Sequence, residues 1–453
     1  MTAPQSPTED AIASQALSPA LASPAEEPDR LKSLGVDLSK YPSIENRQTY
    51  REIVSRTNRS MALPLLKAYA ADIMRKTPDP AMLTHIVTTR CNYLCSFCSF
   101  ADTLNATTNE LSLDEIERVY TAIGHSLHVI VYSGGEPTLN KDLSEIIETA
   151  YRLTPVKSIY IISNAWRPEL IFQITHRAMQ RCPGLHLTWS LSIEGPREFN
   201  NPERRTKAAN WDAWQNTVDA MEGLKRIRQR YGYHELNVQL CTVCTPANHR
   251  VMPQWYAMVR DCLQPDKWNL NLMRKSVQMA AHSMPSFVER RARNMLEPFE
   301  ETYLQVTEAV RQDVLGGRMK FLYHTRNPID GALQSAVDLV SQEENRRTVL
   351  EAKSQFCCRA GSMGAYISSE GEVGGCEEFT HHPVQNKSFG NVRDVDYDFQ
   401  TLWRSKRAEA IRERVGQSRE CHGCTLESQR NYPAILSSPV NLMKAGMLAT
   451  RIR

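Results

Sequence analysis

Three thiols fall within eight residues in Cys91-Asn-Tyr-Leu-Cys95-Ser-Phe-Cys98, directly after the β-branched, apolar run Thr84–Thr89. No other feature constrains the chain so tightly. A strand that runs into a C-x3-C-x2-C loop gathers three sulfurs on one side of a cube-shaped cluster. A structural zinc site closes its shell with four protein ligands. Three thiolates without a fourth nearby leave a position open, which suits a [4Fe–4S] cluster that binds something else at its remaining iron. Packed structural cysteines are the plain alternative, since free cysteine is often buried. Three at this spacing behind a strand would be an unusual coincidence.

The chain has 12 cysteines in 453 residues. A small secreted scaffold would spend them on disulfides. The first thirty residues carry Glu9, Asp10, Glu26, Glu27 and Asp29 with no basic start and no apolar core, so the sequence predicts neither a secretory signal nor a transit peptide. We expect a cytoplasmic protein, in which clustered cysteines bind metal or do chemistry. Lys and Arg number 54 against 51 Asp and Glu, a balance of +3, which argues against nucleic-acid binding through a general basic surface. No run of about 18 apolar residues predicts a membrane-spanning helix.

The pattern divides the chain into six parts. Residues 1–30 are Ala-, Pro- and Ser-rich and read as a disordered leader. Residues 31–80 read as an N-terminal helical segment with a packing role. Over 81–275, strands at Thr84–Thr89, Leu127–Tyr132, Ser158–Ile162, Leu185–Ile193, Leu236–Val243 and Trp268–Met273 alternate with amphipathic helices. One helix opens with a capping box at Ser112 and Glu115, repeats Leu113, Ile116, Val119, Tyr120 and Ile123, and stops at Gly124. Another repeats Leu143, Ile146, Ile147 and Ala150. Six such units predict an α/β fold with a parallel sheet, a partial (β/α)6 TIM-like barrel with its functional groups at the C-terminal strand ends. Residues 276–355 read as a charged helical connector. Residues 356–430 form a cysteine-rich module with a hairpin around Gly371 in Tyr366–Val373, and 431–453 form a tail.

The strand ends then show a resemblance. The cysteine loop, with Phe97 before Cys98, resembles the C-x3-C-x-aromatic-C motif of the radical S-adenosylmethionine (SAM) superfamily. Tyr132-Ser-Gly134-Gly135-Glu136-Pro137 resembles its G-G-E-P motif, and Ser163-Asn164-Ala165 resembles S/T-N-G with Ala in place of Gly. Ser190-Leu-Ser192-Ile-Glu194-Gly195 resembles S-L-D-G. In that family the unique iron chelates the SAM amino and carboxylate groups, and reduction releases a 5′-deoxyadenosyl radical. The resemblance implies SAM contacts at Phe97, Gly134, Gly135, Glu136, Ser163, Asn164, Ser192 and Glu194. It also implies a carboxylate-binding arginine at Arg204 or Arg205, with Arg274 a weaker candidate. The left-handed backbone that Gly would supply in S/T-N-G is in doubt at Ala165.

Cys358, Cys376, Cys421 and Cys424 lie in a C-x17-C-x44-C-x2-C layout. Spacing alone leaves zinc and a fully ligated [4Fe–4S] cluster equally open. The frame Cys358-Arg-Ala-Gly361, then Glu372-Val-Gly-Gly-Cys376, Phe389-Gly-Asn-Val392, Leu402-Trp403 and Cys421-His-Gly-Cys424, resembles the SPASM/twitch extension in its single-cluster form. Relatives with this layout include sugar-alcohol dehydrogenases of aminoglycoside biosynthesis. Cys357, beside Cys358, falls outside the frame. His381 and His382 read as loop residues, and Cys182 and Cys262 as structural. Cys241 and Cys244 sit three apart on a strand and so face opposite ways. They read as packed cysteines, with the barrel-facing one a candidate hydrogen donor as in epimerases of the superfamily.

The resemblance implies two [4Fe–4S] clusters, SAM and an external one-electron reductant such as flavodoxin or ferredoxin. The expected activity is a SPASM/twitch-type radical SAM oxidoreductase that takes hydrogen from a small polar metabolite, giving oxidation or epimerisation. A peptide-modifying maturase of the same family is the rival enzyme, and a zinc-binding interaction protein the rival of another class.

Overall fold

The computed structural model describes residues 78–273, 296–319, 328–351, 356–380, 387–415 and 421–452, apart from positions 99, 102, 107, 108, 209, 210, 357, 422, 423, 426 and 437. The leader 1–30, the segment 31–80 up to residue 77, Arg274, Cys357, His381 and His382 lie outside the described residues.

Six strands carry the α/β region: β1 (Met82–Thr88), β3 (Val129–Gly134), β4 (Ser158–Ser163), β5 (His186–Ser192), β7 (Leu236–Cys244) and β8 (Lys267–Leu272). They are parallel neighbours in that order. Two short strands, β2 (Tyr93–Cys95) and β6 (Arg204–Thr206), form a separate antiparallel ribbon. Helices α1 (Leu113–Ile123), α2 (Leu143–Leu153), α3 (Pro168–Arg181), α4 (Arg197–Glu203), α5 (Ala213–Tyr231) and α6 (Met252–Met258) occupy the connections. Ser112 caps α1 through the Glu115 amide while the Glu115 carboxylate takes the Ser112 N–H, the reciprocal box that the sequence predicts.

Alternation along the strands separates two faces. Ile130 and Tyr132, Ile159 and Ile161, Leu187, Trp189 and Leu191, and Val238 and Leu240 are fully buried beneath the helices. On the other face the register brings Val131, Tyr160, Ile162, Ser192, Cys241, Asn269 and Asn271 into adjoining rows. These are only partly buried, and Ile162 is 37% exposed. The inner face therefore lines a lumen that is partly filled, since Thr188, Ser190, Gln239 and Lys267 on the same face are buried. Tyr160 on β4 and Lys267 on β8 both face Asp338, so the sheet curls around a shared centre.

β8 and β1 do not pair, so the barrel is partial. The free edge of β1 is taken by the C-terminal module. β9 (Gly364–Ile367) lies parallel to β1, and β10 (Glu372–Gly374) and β11 (Gly390–Asn391) follow it antiparallel. The β9–β10 hairpin turns at Gly371, whose φ is +92°; a Cβ there would lie 2.7 Å from Val392 Cγ2. Helices α7 (Pro298–Leu315) and α8 (Pro328–Glu351) make up the described part of the connector. α9 (Tyr432–Leu436) and α10 (Pro439–Ala449) close the chain against α8. Among the described residues no helix is long and apolar enough to cross a membrane.

Candidate active site

The cysteine loop is held at both of its ends. The Glu110 carboxylate accepts from the Thr88 hydroxyl, the Thr89 amide (2.9 Å) and Arg90 (3.2 Å) at its entrance. Asn105, at φ +59°, accepts from the Cys91 amide and donates back to the Cys91 carbonyl. Cys95 lies in β2 opposite Arg204, and the Cys98 amide donates to the Cys95 carbonyl. The three thiols are near enough to raise one another's pKa values, with burial the larger cause; Cys95 is pushed up to about 12 while Arg204 pulls it down. Three thiols coupled electrostatically beside a guanidinium suit an anionic thiolate-bound cluster by their chemistry, although among the described residues no three acidic, histidine or cysteine side chains are already arranged to hold a metal ion.

The G-G-E-P segment packs on this loop. The Gly135 amide donates to the Thr88 carbonyl and the Glu136 amide to the Arg90 carbonyl. A Cβ on Gly134 would sit 2.1 Å from the Thr88 oxygen, and one on Gly135 2.2 Å from the Arg90 oxygen. Both glycines are thus required by the backbone leading into the cysteine loop itself. Glu136 is fully buried, and its carboxylate is occupied by the Thr138 amide and hydroxyl, the Ser163 hydroxyl (2.8 Å) and the Asn164 amide (2.6 Å). It fixes the end of β4 through both oxygens, three of the four donors meeting Oε1 and the Asn164 amide meeting Oε2. Asn164 reaches the loop, donating to Asn92 at 3.0 Å and lying 3.9 Å from the Cys91 sulfur. Ala165 adopts φ +55°, so the left-handed turn forms even without glycine, at a strain of ~1–2 kcal/mol.

Glu194 and Arg204 make a buried ion pair. Both Nε (3.0 Å) and a terminal nitrogen (2.6 Å) of Arg204 donate to one carboxylate oxygen, and the other oxygen accepts from the Val243 amide. Burial raises the Glu194 carboxyl and Arg204 opposes it. The Arg204 guanidinium lies 5.8 Å from the Phe97 ring centre. Arg205 is exposed, on the opposite face of the ribbon from Cys95 and Arg204. Ser192 ends β5 beside Cys241.

Cys241 and Cys244 do face opposite ways. Cys244 is buried on the outer side, its thiol 3.4 Å from the Phe299 carbonyl of α7. Cys241 faces the lumen, accepts from Asn271 at 3.1 Å, and burial pushes its thiol up to about 12, so it keeps its hydrogen at neutral pH.

Sequence reasoning missed the polar wall below these residues. Lys267 binds Asp338 at 2.9 Å and the Tyr432 hydroxyl at 3.0 Å; Tyr432 donates to Asp338 and approaches Glu427. Ser341 and Asn345 reach Glu427 at 3.4 Å. The readable signal was Trp268-Asn-Leu-Asn-Leu272, which puts two asparagines on one strand face.

In the C-terminal module, Cys358, Cys421 and Cys424 pack with Cys376, Ala360 and Val415. A Cβ on Gly375 would lie 2.7 Å from the Gly361 nitrogen, so the two glycine-bearing backbones press together and bring Cys358 and Cys376 to one place. Burial pushes Cys358 up to about 12, with Cys424 and Cys421 adding to the shift. Arg412 lies over both the Phe389 and Trp403 rings, which meet edge-on, donates to the carbonyls of Gly361 and Trp403, and is lowered to about 10 by burial.

Residues 85–234 match the family model of the Radical SAM superfamily, and residues 357–425 that of SPASM, an iron-sulfur cluster-binding domain. The chain carries a radical SAM domain over residues 85–234. It carries a C-terminal SPASM domain, and its cofactors are SAM and two [4Fe–4S] clusters. A GTP 3′,8-cyclase of Vibrio parahaemolyticus is 26% identical over 180 residues, 39% of this chain and 49% of that protein. One of Mannheimia succiniciproducens is 36% identical over 88 residues, 18% of this chain and 26% of that protein. The chain thus spans half or less of the length of these curated relatives. Among solved structures, native anSMEcpe with bound AdoMet and Cp18Cys peptide aligns with TM-score 0.51 at 15% identity, covering 83% of this chain and 100% of that one. Streptococcus suis SuiB bound to S-adenosylmethionine aligns with TM-score 0.52 at 14% identity, covering 86% and 84%. These likenesses show a common fold.

Proposed function

We propose that this radical SAM enzyme is an oxidoreductase acting on a small polar metabolite held in the barrel lumen. Cys91, Cys95 and Cys98 hold the SAM-binding cluster, and Cys358, Cys376, Cys421 and Cys424 the auxiliary one. Bound SAM and its cluster supply the 5′-deoxyadenosyl radical that removes substrate hydrogen. Asn164, Ser192 and the Glu194–Arg204 pair lie where they would orient SAM, and Glu136 and the two glycines position the loop around it. The domain limits read from the sequence belong to the same proposal.

The observation that carries the substrate class is the lumen lining. Ser192, Cys241, Asn269 and Asn271 line the open space, with Lys267, Asp338, Glu427 and Tyr432 behind them. Buried polar groups select ligands that can satisfy them. The curated relatives are also named for a nucleotide. Cys241 supports a second outcome, epimerisation, in which its S–H returns hydrogen to the substrate radical. Oxidation would leave that thiol unused.

The test is anaerobic SAM turnover under reductant with pools of polar metabolites and, separately, of peptides, following 5′-deoxyadenosine. Stimulation by a metabolite fraction is expected; stimulation by peptides alone overturns the substrate class. With the substrate in hand, Cys241→Ser separates the outcomes. An epimerisation keeps 5′-deoxyadenosine formation while its product falls at least about tenfold, and an oxidation leaves product unchanged.

A further inference from the structure

Glu427 belongs to the polar wall of the lumen, and its charge has no counterpart there. The acids around it are matched: Asp338 by Lys267 at 2.9 Å, Glu344 by Arg430 at 2.8 Å, Glu194 by Arg204 and Glu308 by Arg346. Among the described residues no Lys or Arg forms an ion pair with Glu427. Its contacts to the wall are neutral and long, to the Tyr432 hydroxyl at 3.3 Å and to Ser341 and Asn345 at 3.4 Å. Two carboxylates, Asp338 and Glu427, thus share the single ammonium of Lys267. Burial raises the Glu427 carboxyl, Lys267 opposes the rise and Asp338 adds to it.

Hydrogen-bond donors are short in the same place. α8 presents Asp338, Ser341, Gln342 and Asn345 at helical spacing. Asn431, fully buried, donates to Ser341 Oγ at 3.1 Å and Asn345 Oδ1 at 2.8 Å, and its own Oδ1 meets no donor. Gln342 Oε1 and Asn269 Oδ1 are buried acceptors in the same state. Buried polar atoms are normally satisfied, so this wall carries acceptors and negative charge in excess. Asn269 stands opposite Cys241 in the sheet. Cys241, Asn269, Asn271 and Glu427 all keep part of their surface accessible. The wall also shows how it holds an ammonium. Lys267 Nζ is taken by Asp338, by the Tyr432 hydroxyl at 3.0 Å and by the Tyr432 ring, 5.7 Å from its centre.

We propose that the lumen binds its substrate through an ammonium group, which docks on Glu427 and supplies the positive charge and the N–H donors that the wall lacks. The inference narrows the metabolite reading of this lumen to amine-bearing compounds and rests on it. A neutral analogue leaves the carboxylate without a counter-charge and is rejected for that reason.

The test uses the reconstituted holoenzyme with SAM and reductant. The probe is a polar metabolite extract divided on a cation exchanger. Its retained fraction is assayed before and after acetic anhydride, which turns ammonium groups into neutral amides. The retained fraction should stimulate 5′-deoxyadenosine formation, and acetylation should lower that stimulation at least about tenfold. Glu427→Gln should raise the amount of retained fraction needed for half-maximal stimulation at least about tenfold while the plateau changes less, and Glu427→Asp, which keeps the charge, should recover most of the response. Without extract, the thermal midpoint of Glu427→Gln should equal or exceed that of wild type, because a carboxylate without a counter-ion is removed. Stimulation by the unretained fraction alone, or undiminished stimulation after acetylation, overturns the ammonium and leaves the metabolite reading standing. A lower midpoint with an unchanged half-maximal amount overturns it too, since Glu427 is then structural. Stimulation by peptides alone fails the metabolite reading instead, and the same acetylation applied to the peptides then decides whether an ammonium is bound.

Discussion

At the residue scale, His85 shows how burial sets charge. It lies on the outer face of β1, its Nδ1 2.7 Å from the Tyr120 hydroxyl, and its Nε2 meets no partner. Burial lowers its pKa from 6.5 to about 3. The folded state refuses a proton that the unfolded chain accepts. The stability from the neutral ring is therefore full above about pH 6.5 and is lost as the pH falls toward about 3, by ~1.4 kcal/mol per unit below 6.5. His85→Asn should remove that slope. In anaerobic unfolding at pH 7.5 and 5.5, the stability gap between wild type and variant should narrow by ~1.4 kcal/mol at the lower pH. Parallel curves would mean that the ring is already protonated in the fold. The thiol motifs were legible at this scale because their spacing is local. The reason for Gly134 and Gly135 was not, since the Thr88 and Arg90 carbonyls that exclude a side chain belong to the preceding strand end. Ala165 likewise takes a positive φ that its own identity argues against; Ser163 donated to by its amide, and the Glu136 carboxylate behind Ser163, hold the turn.

At the element scale, the six strands were legible to within about two residues at each end because each alternates or runs apolar between capped helices. The ribbon of β2 and β6 escaped notice, since three-residue strands carry no measurable period. The pairing of β9 with β1 escaped as well, because nothing in Gly364–Ile367 names its partner. That junction is clamped by Arg393, which donates to both oxygens of Glu115 at 2.7 and 3.1 Å and to the carbonyls of Asn109 and Glu110. The Leu111 amide donates to the Ser369 carbonyl at 2.7 Å. The SPASM hairpin thus braces the segment whose Glu110 grips the entrance of the cysteine loop. Arg393→Gln should loosen both contacts. By hydrogen exchange the amides of Thr89 and Leu111 should open at least about fivefold faster, a loss of ~1 kcal/mol. Unchanged protection at Thr89 would show that the brace stops at α1.

At the scale of the whole molecule, the cysteine loop and the C-terminal cysteine module both attach to β1. The N-terminal loop closes the C-terminal ends of the barrel strands, and the SPASM module extends the same sheet from β1. The polar wall of the lumen is assembled from strands and from residues far along the chain, Lys267 with Asp338 and Tyr432, which is why only its strand half could be read beforehand. On the proposed assignment, the three N-terminal thiols would hold a cluster with one position open to SAM. The four C-terminal thiols would leave no open position on theirs. The most direct measurement is electron paramagnetic resonance of the reduced, reconstituted Cys424→Ala protein, in which the N-terminal centre remains, recorded with and without SAM. The account predicts a SAM-dependent change in the spectrum, and its loss together with 5′-deoxyadenosine formation in Cys95→Ala. A spectrum indifferent to SAM, with the N-terminal centre intact, would contradict it.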